Sequence, residues 1–218
     1  MGFSLFTPLS WSDSGFIITG ILNTVYISVV AIVFGTVLGV IVGFIRAESN
    51  KWVNMVLGSF LDILRSVPLI IQLILFTTFI GAMGYPLNPF VSGSIILSLY
   101  TMAFMSEVFR AGFQSVLPSM RTAARSLGMT YWQTVRYIRL PIGLRAVFTS
   151  WLGVAQAVIK DSALVSVIGY MELLRTSEQL ISRTQQPLEI LIGVGIFYFI
   201  ISYPLSLYGK HVERKMKV

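Results

Sequence analysis

The sequence predicts an all-α, polytopic membrane protein with about five transmembrane helices. Hydrophobic residues make up 55% of the 218 positions and charged residues only 11%, less than half of the roughly 25% that is typical of a soluble domain. Apolar stretches recur along the chain, and their lengths suit the roughly 20 residues that a helix needs to cross a bilayer. Lysines and arginines cluster between these stretches. Together these observations predict a bundle of membrane-spanning helices.

The first predicted span covers residues 16–45, which carry no charge. Within it Gly35, Gly39 and Gly43 recur at four-residue spacing. Such a stripe of small residues lets another helix approach closely, and close packing is a main source of helix association in lipid. The alternative is that these glycines are merely tolerated in a membrane helix.

Four further spans follow. The second span of the chain, residues 53–83, contains Pro68, which should kink it. This span ends at a turn rich in glycine and proline over residues 81–89. The predicted later spans are residues 53–83, 91–109, 146–168 and 188–208. Because the sequence has no internal repeat and no low-complexity linker, we expect a single domain over residues 1–218.

The placement of positive charge predicts the orientation, because short cytoplasmic loops retain lysine and arginine. With the N-terminus outside and the C-terminus in the cytoplasm, the outer segments hold only Arg175 and Arg183. The inner segments hold Arg46, Lys51, Arg110, Arg121, Arg125, Arg136, Arg139, Arg145, Lys210, Arg214, Lys215 and Lys217. This asymmetry accounts for most of the net charge of +7, so we expect no nucleic-acid partner.

The long basic segment between the third and fourth spans has local order. Pro118 suits a first helical turn, and an apolar face follows at helical spacing with Met120, Ala123, Ala124 and Leu127. Gly128 is expected to end this helix. Thr130 and Gln133 form a capping box, and the second helix is expected to end at Leu140, before Pro141. Two readings stay open: the hairpin rests on lipid phosphates in the membrane interface, or it is a docking surface.

A family resemblance bears on this choice. The residues Thr122-Ala123-Ala124, Gly128 and Leu140-Pro141 resemble the conserved loop of bacterial ABC importer permeases, at about residues 117–141 here. In that family the loop is a cytoplasmic coupling helix that sits in a groove of the ATPase. The resemblance therefore implies a docking loop formed by Arg121, Thr122, Ala123, Ala124, Arg125, Gly128, Leu140 and Pro141. Thr122 departs from the glutamate that is usual at its position, which puts one charged contact to the ATPase in doubt.

Other motifs resemble the polar amino-acid branch of this family, the histidine, glutamine and glutamate type permeases. They are residues 65–69 with Gln72, residues 106–107 with 110–112, and residues 160–169. The resemblance implies a type I ABC importer-like fold in the bacterial inner (plasma) membrane that carries a polar amino acid such as glutamate or glutamine. It implies three partners besides membrane lipid: an identical or homologous second permease subunit, a cytoplasmic ABC ATPase dimer, and a periplasmic or lipid-anchored amino-acid-binding protein.

Charged residues inside the spans are functional candidates, because each costs roughly 2.5 to 3.5 kcal/mol to insert. Asp62 with Arg65, and Glu107 with Arg110, are three residues apart and can neutralise each other. Lys160 and Asp161 are adjacent, so they point about 100 degrees apart on a helix and need other partners. A zwitterionic amino acid could supply both. By resemblance this stretch lies on the translocation path, and the substrate-path candidates are Lys160, Asp161, Ser162, Arg65 and Gln72. The alternative is a structural network with Asp62, Arg65 or the second subunit.

Several functions are not expected. There is no cysteine, the only histidine is His211, and no phosphate-binding loop of the form Gly-x-x-x-x-Gly-Lys-Ser/Thr occurs. We therefore expect no catalytic residue, metal site or cofactor, and expect ATP hydrolysis from a separate ATPase subunit.

The segment at residues 170–186, with Glu172, Arg175, Glu178 and Arg183, is either a contact for the binding protein or a solvated outer loop. A stand-alone secondary transporter and a membrane docking or signalling subunit remain alternatives.

Overall fold

The computed structural model describes residues 9–216, so Lys217, which the orientation argument places in the cytoplasmic tail, lies outside the described residues. Within that range the chain forms helices and connecting turns and no β-strand. The α-helices are α1 (Ser14–Glu48), α2 (Lys51–Ser66), α3 (Leu69–Ala82), α4 (Pro89–Gln114), α5 (Pro118–Ser126), α6 (Tyr131–Thr134), α7 (Leu140–Asp161), α8 (Leu173–Thr184) and α9 (Pro187–Met216).

Four of the described helical stretches are long and apolar enough to cross a membrane: Ser14–Glu48, Pro89–Gln114, Tyr131–Ile168 and Pro187–Lys215. The pair α2 and α3 meets the same test only when the two are joined as one bent span, which would make five. The predicted fold class, an all-α membrane protein with about five spans, is confirmed.

The described chain divides into two compact units. The first, here called the Lys160 unit, comprises the described residues up to Ala31, together with Pro68–Leu97 and Gln156–Leu205. The second, here called the hairpin unit, comprises Ile32–Val67, Ser98–Ala155 and the described residues from Ser206 onward. Each unit therefore draws on segments that are far apart in the sequence.

The glycine stripe of α1 lies against α4 in the hairpin unit. A Cβ atom added to Gly35 would overlap Thr101, and one added to Gly39 would overlap Met105. At Gly43 an added Cβ would lie 2.6 Å from the carbonyl oxygen of Ser106. The predicted close approach is confirmed, because only a residue without a side chain fits at these positions.

The predicted second span is interrupted rather than merely kinked. Helix α2 ends at Ser66, and Val67 is extended with a ψ of 128°. A residue before proline is disfavoured in the helical region because the proline ring crowds its backbone, and α3 begins directly after Pro68. The prediction of one continuous helix over residues 53–83 is therefore wrong at this point.

The predicted helix end at Leu140 is also wrong. Tyr131–Ile168 is one helical stretch, in which Val135–Arg139 is π-helical and Ser162–Ile168 is a 3₁₀ helix. In the π segment the N–H of Leu140 donates to the carbonyl of Val135, five residues earlier. Proline usually breaks a helix because it has no N–H and its ring meets the preceding turn. The wider π turn before Pro141 lets the helix continue, so the fourth span begins well before residue 146.

Candidate functional site

The basic hairpin has the local structure that its sequence predicts. Pro118 is the first residue of α5, and Gly128 follows the helix end with a φ of +80°, a conformation suited to glycine. At the start of α6 the N–H of Thr130 donates to Oε1 of Gln133 over 2.8 Å. The N–H of Gln133 in turn donates to Oγ1 of Thr130 over 3.3 Å. The predicted capping box and glycine corner are both confirmed.

The apolar face of α5 is only partly covered. Ala124 is buried, whereas Leu127 is 82% exposed and Met120 is 44% exposed. Apolar side chains gain free energy when another surface removes them from water. The described residues therefore leave an apolar strip on this helix open to a partner or to lipid.

A pocket of about 620 Å³ lies beside α5 in the hairpin unit. Three of the predicted docking residues line it: Arg121, Thr122 and Arg125. The other lining residues are Glu48, Pro118, Ser126, Tyr131, Thr134, Val135 and Arg139. The remaining predicted docking residues, which are not among those lining the pocket, are Ala123, Ala124, Gly128, Leu140 and Pro141.

One wall of the pocket is a charge cluster that the sequence analysis missed. Nη2 of Arg139 lies 2.5 Å from Oε1 of Glu48, and the hydroxyl of Tyr131 donates to Oε2 of Glu48 over 2.6 Å. The guanidinium of Arg139 also lies over the ring of Phe113, 5.7 Å from its centre. These contacts tie the hairpin to the end of α1. Because Glu48 and Tyr131 are 83 residues apart, no spacing rule could have paired them.

A second charge cluster in the same unit involves Glu107. The predicted pair with Arg110 is present, and Nη1 of Arg46 also lies 2.9 Å from Oε2 of Glu107. Nε of Arg46 donates to Asn54 as well, over 3.1 Å. The side chain of Arg46 is only 7% exposed, so this cluster joins α1, α2 and α4 through a nearly buried guanidinium.

The substrate-path candidates fall in different parts of the fold. Arg65 belongs to the hairpin unit and forms the predicted pair with Asp62. Lys160 and Asp161 end α7 in the Lys160 unit, where Lys160 is exposed and Asp161 half-buried. Neither forms an ion pair with any other residue in the range 9–216.

Two other candidates lie in the Lys160 unit near the end of α7. Ser162 is fully buried, and its hydroxyl donates to the carbonyl of Ile159 over 2.7 Å. Gln72 is half-buried on α3, and α3 packs against the 3₁₀ segment Ser162–Ile168. Within this unit, then, the helix that carries Gln72 contacts the segment that begins with Ser162.

The segment at residues 170–186 is not a solvated loop, because most of it is α8. Glu172 caps this helix: its carboxylate accepts the N–H of Leu174 over 2.8 Å and that of Arg175 over 2.7 Å. Glu172 is fully buried, so it is not available for the predicted contact with a binding protein. Burial raises the pKa of Glu172 from 4.5 to about 7.

The other charges of this segment are paired at the surface. Arg175 lies 3.2 Å from Glu178, and Arg183 lies 2.5 Å from Asp13. The hydrogen bond from Arg183 lowers the pKa of Asp13, and a further hydrogen bond from the N–H of Ser10 acts in the same direction. These residues remain candidates for an outer contact.

Comparison with known proteins identifies the family. Residues 35–218 match the family described as the binding-protein-dependent transport system inner membrane component. The chain is 31% identical to the glutamine transport system permease protein GlnP of Escherichia coli, over 95% of this chain and 96% of that protein. It is 29% identical to the arginine transport system permease protein ArtQ of Bacillus subtilis, over 93% of each.

The fold of a solved structure supports the same family assignment. The crystal structure of an amino acid ABC transporter with histidines contains a chain that superposes with a TM-score of 0.85 and 27% identity. The superposition covers 96% of this chain and all of the other. The fold is thus that of a type I ABC importer permease, and the chain belongs to the family of binding-protein-dependent transport system inner membrane components.

Proposed function

We propose that this chain is the transmembrane permease subunit of an ATP-driven importer for a polar amino acid. The observation that carries the proposal is the similarity to a glutamine permease over 95% of this chain. The chain contains no phosphate-binding loop of its own, so a separate ATPase subunit supplies the energy. The two rival functions, a secondary transporter and a signalling subunit, have no comparable support.

Glutamine, glutamate or a similar polar amino acid is the proposed substrate. Lys160 and Asp161 have no ion-pair partner among residues 9–216, and a zwitterion offers a carboxylate to the lysine and an ammonium to the aspartate. Residues 153–159, just before them, contain no carboxylate that would favour a cationic side chain. An arginine permease is nevertheless among the relatives, so the substrate screen has to include the cationic amino acids.

The proposed assembly has two permease subunits, identical or homologous, with residues 1–218 acting as one transport domain in each. An ABC ATPase dimer binds the coupling loop at about residues 117–141 on the cytoplasmic side. A periplasmic or lipid-anchored binding protein delivers the amino acid on the side that holds the N-terminus. The excess of lysine and arginine in the segments assigned to the cytoplasm supports this orientation.

The contacts of the hairpin suggest how ATP drives transport. Binding of ATP can shift the permease only by favouring one of its two states over the other. Because Glu48 binds both Arg139 and Tyr131, a displacement of the hairpin by the ATPase is passed to the end of α1. Helix α1 in turn packs closely against α4 along the glycine stripe.

Co-purification with a candidate ABC ATPase subunit from the same organism tests the assignment. We expect a stable complex whose ATP hydrolysis rises when the loaded binding protein is added. Replacing Gly128 by valine should release the ATPase while leaving membrane insertion intact, because a β-branched residue is strained at a φ of +80°. Gly153→Val is the matched control, since a Cβ atom added there has nothing within 4 Å. Unchanged co-purification of Gly128→Val would contradict docking through this hairpin.

A further inference from the structure

The pocket beside α5 has an excess of positive charge. Its lining contains three arginines, Arg121, Arg125 and Arg139, and one acidic residue, Glu48. That single carboxylate is already engaged by Arg139 and by the hydroxyl of Tyr131. Arg121 interacts electrostatically with Glu48 across the pocket, but neither Arg121 nor Arg125 forms a direct ion pair with any residue in the range 9–216. The pocket therefore offers two guanidinium groups to a negatively charged group from outside the chain.

The three residues between these two arginines in the sequence, Thr122, Ala123 and Ala124, supply no negative charge. Thr122 is exposed and lines the pocket. Its hydroxyl donates to the carbonyl of Pro118 over 3.1 Å, a contact within α5 itself. The loops that this hairpin resembles usually have a glutamate at this position. This chain therefore has a neutral hydroxyl where a carboxylate is usual, between two arginines that line the pocket.

We propose that this pocket receives an aspartate or glutamate side chain of the cytoplasmic ATPase subunit, held between Arg121 and Arg125. The inference rests on the proposed function, because it presupposes that an ATPase docks on the hairpin. Arginine binds carboxylates through paired, charge-assisted hydrogen bonds, which fix geometry as well as add affinity. Leu127 and Met120, exposed on the same helix, provide apolar contact for the rest of that partner surface.

One wall of the pocket is fixed by contacts within the chain. The side chain of Arg139 is 5% exposed and is fixed by Glu48 and by the ring of Phe113. Burial and hydrogen bonding hold this wall in place, so part of the pocket is formed before a carboxylate docks between Arg121 and Arg125. Preformed sites lose less entropy on binding than flexible ones.

The test is a charge substitution at Thr122, with the affinity of the detergent-purified permease for its ATPase as the measurement. Thr122→Glu places a carboxylate beside Arg121 and Arg125 and should compete with the partner's, so we expect affinity to fall by about tenfold or more. Thr122→Gln, which has the same size without the charge, should stay close to the wild type. A stronger complex with Thr122→Glu would show that the ATPase presents a positive charge at this position. That result would overturn the proposal.

A second pair of variants separates the pocket from the hairpin as a whole. Arg121→Gln with Arg125→Gln should weaken the complex by about tenfold or more, since both guanidinium groups are lost. Arg136→Gln is the control, because Arg136 is exposed on the same hairpin and does not line the pocket. Equal losses in the double variant and the control would overturn the proposal, because a general charge effect would then explain both.

Lipid phosphate is the competing ligand, and the bilayer composition distinguishes it. In nanodiscs of pure phosphatidylcholine the double variant should show the same loss of ATPase affinity as in detergent. If the loss appears only when anionic lipid is present, the arginines bind lipid and the proposal fails. Failure of the wild-type chain to bind any ATPase would instead contradict the proposed function itself.

Discussion

In the hairpin unit the acidic residues Glu48 and Glu107 each bind two side chains of the same chain, whereas Lys160 and Asp161 of the Lys160 unit have no such partner. Glu48 joins Arg139 and Tyr131, and Glu107 joins Arg46 and Arg110. Burying a charge is tolerable when an opposite charge and hydrogen bonds replace its water. In the hairpin unit, residues of the same unit supply these opposite charges and hydrogen bonds, so its charge clusters stabilise the fold.

In the Lys160 unit, by contrast, two charged residues lack an ion-pair partner within the described residues. A lysine and an aspartate at the end of a membrane helix are costly when nothing satisfies them, yet both stand there without an ion-pair partner in the described residues. We propose that a partner from outside the chain satisfies these two groups, either the transported amino acid or a second permease subunit. On this proposal the charges of the hairpin unit stabilise the fold, whereas Lys160 and Asp161 are available for transport.

The largest expected effect comes from removing Lys160. We expect Lys160→Ala to lower amino-acid uptake by about ten- to a hundredfold, because a charge-assisted contact to the substrate is lost. The permease should still assemble with its ATPase. Lys210→Ala, which removes an exposed lysine of the C-terminal tail, is the control. Wild-type uptake by Lys160→Ala would mean that this charge is not on the substrate path.

The next effect is on stability, at the charge cluster of the hairpin. Glu48→Ala leaves the nearly buried Arg139 without its carboxylate, and we expect a loss of about 3 kcal/mol in the free energy of unfolding. Glu178→Ala removes one partner of an exposed pair and should cost less than about 1 kcal/mol. Denaturation of both variants in detergent gives the comparison. Equal costs would show that the Glu48 cluster is not structural.

The third effect is a pH dependence that comes from Glu172. Its pKa is about 7 in the folded chain, compared with an ordinary value of 4.5. The unfolded chain therefore releases this proton at a lower pH than the folded chain does, and stability falls as pH rises from 4.5 through 7. We expect a loss of about 2.5 kcal/mol across this window. Glu172→Gln should be flat over the same range, and an identical slope in the variant would assign the titration to another group.

The smallest effect concerns the helix contact that supports the hairpin unit. Gly39→Ala forces a methyl group into Met105, and we expect a loss of about 1.5 kcal/mol, as is usual when a packed site is overfilled. Gly153→Ala has free space for the same methyl group and should be neutral or slightly stabilising, because alanine favours helix more than glycine does. Thermal unfolding of the two variants measures the difference. A Gly39→Ala chain as stable as the control would rule out tight packing here.

Features with a local cause could be predicted from the sequence. Gly128, the capping box of Thr130 and Gln133, and the glycine stripe each depend on residues within a few positions of one another. The hairpin and its glycine corner were therefore correct in outline. The predicted helix end at Leu140 is wrong because a π turn, which no simple residue pattern predicts, accommodates Pro141.

Features that depend on long-range contacts were missed. The pairing of Glu48 with Arg139 and Tyr131 joins distant parts of the chain. The sequence alone therefore did not indicate that these three residues form one cluster. Glu172 was expected at an outer surface because glutamate is usually exposed. In the folded chain Glu172 is fully buried, and beside it the hydroxyl oxygen of Thr24, 149 residues away from Leu173, accepts the N–H of Leu173 over 3.0 Å. Only the folded chain shows that contact.

The most direct test of the central claim is uptake into proteoliposomes that contain this chain and its ATPase, with the binding protein added outside. We expect labelled glutamine or a similar polar amino acid to accumulate only when ATP is enclosed in the lumen, on the side of the membrane where the ATPase binds. Accumulation should stop when the ATPase is left out. Uptake by the permease alone, driven by a proton or sodium gradient, would contradict the proposed function.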